Sequence, residues 1–313
     1  MRWDDRIGRR VKLHDLHILL AIVQCGSMSK AAKQLSVSNP VVSRAIADLE
    51  HSLGVRLLDR NAHGVEPTIY GRALLDRGLV VFDELREAVK QIEHLSNPTS
   101  GELRIASLPA IGSSFLAAVI EGLTVRYPGI VLHVLAVGAD AANSMLDERK
   151  VDLVINRMFE PVDPGHFHTE ILYDEPLVVA AGAQSPWTKR RRLKLADLVN
   201  ELWALPPPHS IFGSAVAEAF RASRLDVPRT AVVTTAVPLR NALLRGGRFL
   251  TIVPASVLGF PTKSPAFAIL PIRLPVAPRP IVAIRLKSRT PSPLVQLFID
   301  CARDVATVPA KRK

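Results

Sequence analysis

Between Leu13 and Gly54 apolar residues recur at steps of three and four, and this periodicity constrains the chain more than any other feature. Leu13, Leu16, Leu19, Leu20 and Val23 make one amphipathic helical face, which Gly26 ends. Ser29 is placed to cap a second helix over residues 29–35, with Ala31, Ala32 and Leu35 turned inward. Ser36-Val37-Ser38 reads as a tight turn, and a third helix begins around Ser38-Asn39-Pro40 and runs to about Leu53. Pro40 is tolerated in its first turn, where N–H groups lack intrahelical partners anyway. Val42, Ala45, Ile46, Leu49 and Leu53 form its apolar stripe, and Gly54 is a suitable closing residue.

The third helix has a second face built from Asn39, Pro40, Ser43, Arg44 and Ala47. Short polar side chains on an exposed helix can approach base edges in the major groove of DNA, which is wide enough for a helix. Arg44 can pair with a guanine or a phosphate, and Asn39 carries both a donor and an acceptor. Lys30 and Lys33 on the preceding helix, and Arg60 beyond the bundle, suit phosphate contacts that fix register without reading sequence. The plainer alternative is a three-helix bundle with a solvated face.

Residues 61–68 are turn-rich, and from 71 to 96 the pattern is again helical, with Leu75, Leu79, Phe82, Leu85, Val89, Ile92 and Leu95 in one stripe. A stripe of that length calls for a partner helix, and dimerisation is the favoured reading over packing on its own domain. Asn97-Pro98-Thr99-Ser100-Gly101 breaks the helix and marks a boundary. Beyond it, short apolar strands are predicted at 102–108, 130–137, 152–158, 177–181, 231–235, 250–254 and 280–286. Helices are predicted near 113–127, 141–150, 214–225, 238–245 and 292–305. Such alternation implies an α/β domain with mostly parallel sheets. Residues 171–183, the most apolar stretch, read as core strand.

The formal charge is +11, from 40 Lys+Arg against 29 Asp+Glu. Residues 1–98 hold 14 basic and 12 acidic side chains, so most of the excess lies downstream of the helical motif and says little about DNA. The two cysteines, Cys25 and Cys301, are far apart, which fits free thiols in a reducing cytoplasm. No leader-like apolar segment opens the chain, and no membrane span is expected because no apolar run reaches about 18 residues.

The segment from Gly26 to Arg60 closely resembles the winged helix-turn-helix of LysR-type transcriptional regulators. The matching pieces are Gly26-Ser27, Lys30-Ala31-Ala32 with Leu35, Val37-Ser38-Asn39-Pro40 with Ser43, Leu49-Glu50, Leu53-Gly54-Val55 and Leu57-Leu58-Asp59-Arg60, closed by Thr68 and Gly71. Asn39 stands where glutamine is commoner, Leu58 where phenylalanine is usual and Pro67 where leucine is. The shorter Asn39 arm puts the half-site preference in question rather than the binding. The DNA-binding set implied is Ser38, Asn39, Pro40, Ser43 and Arg44, with Lys30, Lys33, Arg60 and Thr68 around it.

The resemblance extends along the whole chain. It implies an α plus α/β protein: a winged helix-turn-helix domain over 1–70 (the helix-turn-helix itself about 27–46), then a linker and dimerisation helix over 71–97. A two-lobed, periplasmic-binding-protein-like effector domain would occupy 101–306. Lobe one would hold about 101–172 and 268–306, and lobe two about 173–267, with crossings near 171–174 and 266–270. Carried over, the effector cleft would be walled by Ser107, Pro109, Ile111, Gly112, Ser113, Asn156 and Arg157 on the first lobe. His209, Ser210 and Thr235 would wall the second. Free N–H groups where a helix begins beside Ser113 favour an anionic ligand group independently of any family. Gly64-Val65-Glu66-Pro67-Thr68 and Tyr70-Gly71-Arg72 resemble the subgroup named for a sugar-binding-protein regulator, which implies a sugar-pathway metabolite as the other ligand class. The implied partners are double-stranded promoter DNA, the effector, further copies of the chain as a homodimer or homotetramer, and RNA polymerase for an activator. Neither a cofactor nor a metal is implied.

Other features weigh less. His166 and His168 have a spacing that can ligate metal on a strand, but a Pro/Gly-rich exposed loop is the favoured reading. His14 and His17 are expected at the surface. Lys189-Arg190-Arg191-Arg192 with Lys194 is the densest basic run and reads as a solvated face. No nucleophile elbow, zinc-protease helix, phosphate loop or dinucleotide fingerprint occurs, so no enzyme is expected. The competing reading of another class is a small-molecule binding protein whose helical part only oligomerises; deletion of residues 1–70 separates the two.

Overall fold

The structure is a computed structural model that describes residues 10–61, 64–97, 99–259 and 266–307. The chain divides into two compact units between Val89 and Lys90.

The first unit comprises α1 (Leu13–Cys25), α2 (Met28–Gln34), α3 (Asn39–Leu53), the antiparallel hairpin β1 (Leu58–Asn61) and β2 (Gly64–Pro67), and most of α4 (Ile69–Ser96). Its core gathers Leu16, Ile18, Leu19 and Ile22 from α1, Ala31 and Ala32 from α2, and Val42, Ala45, Ile46 and Leu49 from α3. Gly26 (φ +64) and Gly54 (φ +72) end α1 and α3 in the left-handed region that glycine enters without strain. Because Gly26 turns the chain so sharply, Ser27 and not Ser29 is the last extended residue, and α2 starts earlier than the sequence predicts. The Glu50 carboxylate accepts the backbone N–H groups of Leu57 (2.7 Å) and Leu58 (3.3 Å), which fastens the start of the hairpin to α3. A Cβ added to Gly71 would lie 2.1 Å from the Leu57 carbonyl oxygen, so only glycine lets α4 pass the hairpin this closely.

The second unit holds two five-stranded sheets. The first has the order β4 (Gly129–Ala136), β3 (Ser100–Ser107), β5 (Leu153–Arg157), β12 (Arg279–Leu286) and β6 (Phe167–Glu175). The second runs β11 (Phe267–Ile269), β7 (Leu177–Gly182), β10 (Phe249–Pro254), β8 (Leu202–Leu205) and β9 (Thr230–Val233). The helices are α5 (Pro109–Ile111), continued through a π turn at Gly112–Leu116 into α6 (Ala117–Arg126), α7 (Ala139–Asp147), α8 (Ile211–Ala222), α9 (Val237–Arg245) and α10 (Pro293–Thr307).

Three expectations are corrected here. The sheets are mixed, not mostly parallel: β12 is antiparallel to β5 and β6, and β7 to β10 and β11, because the strands that carry the chain between lobes run back against their neighbours. The 171–183 stretch is two strands in different sheets, parted at Pro176, which has no N–H to continue a ladder. The return to the first lobe falls later than 266–270. β11 belongs to the second sheet, and Leu270, Ile272, Leu274 and Val276 still pack on the second lobe's core.

Beneath the first sheet, Asp152 is a buried anchor. Its carboxylate accepts from the Arg104 backbone N–H (2.9 Å) and guanidinium (2.7 Å), and faces Arg289 (2.8 Å) and Lys90 (3.4 Å). Burial alone would raise its pKa, yet the Arg104 hydrogen bonds and the three cations hold it far below the usual carboxylate range.

Candidate DNA-reading helix and effector cleft

On α3 the four buried residues are Val42, Ala45, Ile46 and Leu49, which fixes the opposite face outward. Ser38, Asn39, Pro40, Ser43 and Arg44 are all exposed there, as are Lys30 and Lys33 on α2. Ser38 precedes the helix with its side chain free of any capping bond, and Pro40 occupies its first turn. Val41, 41% exposed on the same surface, was not singled out by the sequence reading. The helix's rotation places its apolar side chain outside the buried stripe.

Two other predicted contacts stand differently. Arg60 lies in β1 opposite Val65, with its side chain outside the described residues. The Thr68 hydroxyl donates to the Arg56 carbonyl (2.7 Å) and accepts from the Gly71 N–H (3.0 Å). It caps the start of α4 rather than pointing a free group outward.

The second unit has a cavity of about 610 Å³ between its lobes. Asn156, Arg157 and Met158 from the end of β5, residues 159–163 and Asn143 of α7 form the first-lobe wall. Ile211, Ser214, Ala215, Glu218 and Arg221 of α8 form the other. Arg157 is buried and ion-paired with Glu175, whose second oxygen accepts the Ser256 N–H at 3.0 Å. Glu175 therefore ties both lobes at the crossing. Burial lowers the Arg157 pKa to about 10, so it stays charged at neutral pH. Its guanidinium lies 5.2 Å over the Phe212 ring of α8, which meets Phe159 edge-on at 5.2 Å, so an aromatic contact also joins the lobes.

Of the predicted effector residues, only Asn156 and Arg157 line this cavity. Ser107 and Ile111 are buried in the first lobe, with Ile111 in its core. Pro109, Gly112 and Ser113 lie along α5 and its π turn, and Ser113 donates to the Ala110 carbonyl at 3.2 Å. The helix begins at Pro109, four residues before Ser113, so Ser113 does not stand among free N–H groups. Ser210 caps α8 by accepting the Gly213 N–H (3.0 Å), next to exposed His209. Thr235 is exposed before α9. Ser214, Glu218 and Arg221, which share one face of α8, also line the cavity and belong to no motif that would mark them in the sequence.

Among the minor features, His14, His17 and the Lys189–Arg192 run with Lys194 are exposed. The His166 ring lies 2.6 Å from the Asp147 carboxylate. Among the described residues no group of three or more His, Cys, Asp or Glu is placed to hold a metal. No helix among them is long and apolar enough to cross a membrane.

A helix-turn-helix with a hairpin wing, followed by two α/β lobes around a cavity, defines a ligand-responsive DNA-binding protein. The comparisons agree. Residues 13–72 match the bacterial regulatory helix-turn-helix of the lysR family, and residues 96–307 match the LysR substrate binding domain. The chain belongs to the LysR family of transcriptional regulators: it binds DNA and carries an effector-binding domain that modulates regulation. It is 26% identical to the HTH-type transcriptional regulator GbpR of Azospirillum brasilense over 304 residues, 97% of this chain and 89% of that one. It is 28% identical to the hydrogen peroxide-inducible genes activator of Escherichia coli O157:H7, covering 91% of each. The full-length CbnR structure with its target DNA matches with a TM-score of 0.55 at 26% identity, over 94% of this chain and 99% of that one. These relatives are regulators of transcription, not enzymes.

Proposed function

We propose that this regulator reads promoter DNA as an oligomer through Asn39, Pro40, Ser43 and Arg44, with Val41 beside them and Lys30 and Lys33 on phosphates. A small molecule taken up between the lobes shifts that binding. The observation that carries the reading is the exposed polar face of α3 set on a wholly buried Val42/Ala45/Ile46/Leu49 stripe. Asn39 and Arg44 supply hydrogen bonds to base edges, and Val41 supplies an apolar surface suited to a thymine methyl group.

The exposed apolar residues of α4 support pairing with a second copy. Leu79, Val81, Leu85, Val89, Ile92 and Leu95 are 38–75% exposed, whereas Leu75 is buried and Phe82 half-buried in the first unit's own core. Glu175, bonded to Arg157 in one lobe and to the Ser256 N–H in the other, supports a hinge at the crossing. A ligand with different affinities for the open and closed lobes would shift the DNA-binding equilibrium by that difference. For an activator, RNA polymerase is the further partner.

The peroxide response named for one relative does not carry over by disulfide chemistry within one unit. Cys25 lies in the first unit and Cys301 in the second. Cys301 is buried in α10, and burial raises its thiol pKa, which disfavours the reactive thiolate. The effector is therefore read as a bound small molecule, an anion or a sugar-pathway metabolite.

Base preference selected from randomised DNA by wild type and by Asn39→Gln tests the reading. A change confined to one position in each half-site is expected. Identical preferences from both proteins would remove Asn39 from the base-reading set.

A further inference from the structure

The connection from β7 to β8 (residues 183–201) carries Lys189, Arg190, Arg191 and Arg192 with Lys194, all exposed. Strand register fixes where this run lies. Leu250 of β10 pairs with Ala181 of β7, and Phe249 with Leu202 of β8, so the finish of β7 and the starts of β8 and β10 share one end of the second sheet. β9 is parallel to β8, with Thr230 beside Trp203, and starts at that end too. Arg248 and Arg229, both exposed, stand one residue before β10 and β9 and so join the run there. None of these seven residues lines the cavity between the lobes. Residues 177–269, which build the second sheet, hold 12 Lys and Arg against 4 Asp and Glu, so most of the chain's +11 excess sits in this lobe.

Exposed cations elsewhere on the domain have carboxylates at hand, as Arg126 has Asp304, Lys150 has Glu148 and Arg303 has Glu170. Among the described residues none of the seven at this end forms an ion pair. Of the two carboxylates in the connection, Asp197 is engaged by the Lys194 backbone N–H (2.8 Å) and Glu201 is half-buried. The run is also fastened to the lobe. Trp187 and Leu193 on either side of it pack on the second lobe's core, and Leu195 and Leu198 are buried there. The Trp203 indole N–H donates to the Leu198 carbonyl at 2.9 Å. Cations held on an anchored segment lose less conformational freedom on meeting a partner than cations on a loose tail.

We propose that this basic end of the second lobe is a further DNA-contacting surface, which holds duplex phosphates without reading sequence. Double-stranded DNA carries a negative charge about every 1.7 Å along its axis, so a fixed cluster of unpaired cations meets several phosphates at once. The planar guanidinium groups of Arg190, Arg191 and Arg192 suit bidentate bonds to phosphate oxygens. Contacts of this kind add affinity and salt dependence, while base preference stays with the helix in the major groove. The proposal rests on DNA binding by the chain, and it is independent of which α3 residues touch bases and of what the cavity binds.

The test compares full-length wild type with the triple variant Arg190→Gln, Arg191→Gln, Arg192→Gln on a long upstream DNA fragment and on shuffled DNA, across a salt series. The plot of log affinity against log salt is expected to be shallower in the variant by about 2 or more, since each lost phosphate contact removes about 0.9 from the slope. At low salt its affinity is expected to fall about tenfold or more on both DNAs, with the preference for upstream DNA unchanged. The same three positions changed to Lys keep the charge and should keep most of the slope. Should the triple variant fail to fold, Lys189→Gln with Lys194→Gln is expected to flatten the slope by about 1 or more. Wild-type affinity and slope in a folded charge-neutral variant overturn the proposal, and so does a loss confined to upstream DNA. Unaltered DNA binding with reduced transcription by RNA polymerase would assign the surface to an acidic protein partner and overturn it equally.

Discussion

At the scale of single residues, Arg44 and Asp152 use charge in opposite ways. Arg44 is exposed on α3, away from the buried Val42/Ala45/Ile46/Leu49 stripe, so its value is sought in a partner. If it is bidentate to a guanine, Arg44→Ala costs about 1–3 kcal/mol of DNA affinity and relaxes preference at one position. A uniform loss across all sequences would instead mark a phosphate contact. Asp152 has its whole value inside the fold. Asp152→Asn leaves Arg104, Arg289 and Lys90 around a neutral group and is expected to destabilise the effector domain by about 3–5 kcal/mol at pH 7. The folded pKa is depressed, so this stabilisation is complete above the unfolded value of about 4 and is lost as pH falls below it. Chemical denaturation of both proteins should show a gap that is constant from pH 7 to 5 and narrows in stronger acid. The polarity of α3 was legible in the sequence because a 3.6-residue period separates its faces. The roles of Asp152 and Thr68 were not, because both depend on partners brought together only by folding.

At the scale of elements, α4 links two kinds of packing along one stripe. Leu75 is spent on the first unit's core, and a Cβ at Gly78 would press on Leu16 (3.0 Å), while Ile92 and Leu95 stand 64% and 75% exposed. The periodic pattern reveals the stripe but not where its internal use ends, because apolar spacing is the same on both sides of that point. Ile92→Glu with Leu95→Glu should shift the protein toward monomer in sedimentation at micromolar concentration and leave each unit folded. An unchanged oligomer would locate the interface elsewhere. The predicted strand at 171–183 illustrates a different limit. Composition gives an apolar run, but only Pro176 and the buried Glu175 mark the point where one sheet is exchanged for another. β8 was missed altogether, at four residues being too short to develop a period, and β11 was anticipated only as the return crossing near 266–270.

For the whole molecule, function lies in coupling a DNA-reading unit to a two-lobed effector unit. The family's motif residues made the first unit readable almost position by position. The cavity was far less readable: Asn156 and Arg157 were found at the end of a strand, but the α8 wall was not, because a cleft is set by how lobes meet and leaves no local signature. Sequence reading is proposed for the exposed face of α3. Its most direct measurement is the affinity of the full-length protein for its own upstream DNA against shuffled DNA of equal length, across a salt series. A preference for the upstream site of about a thousandfold or more is expected at physiological salt, with affinity falling as salt rises. Equal affinity for both DNAs, or a preference that Arg44→Ala together with Asn39→Ala leaves intact, would contradict it.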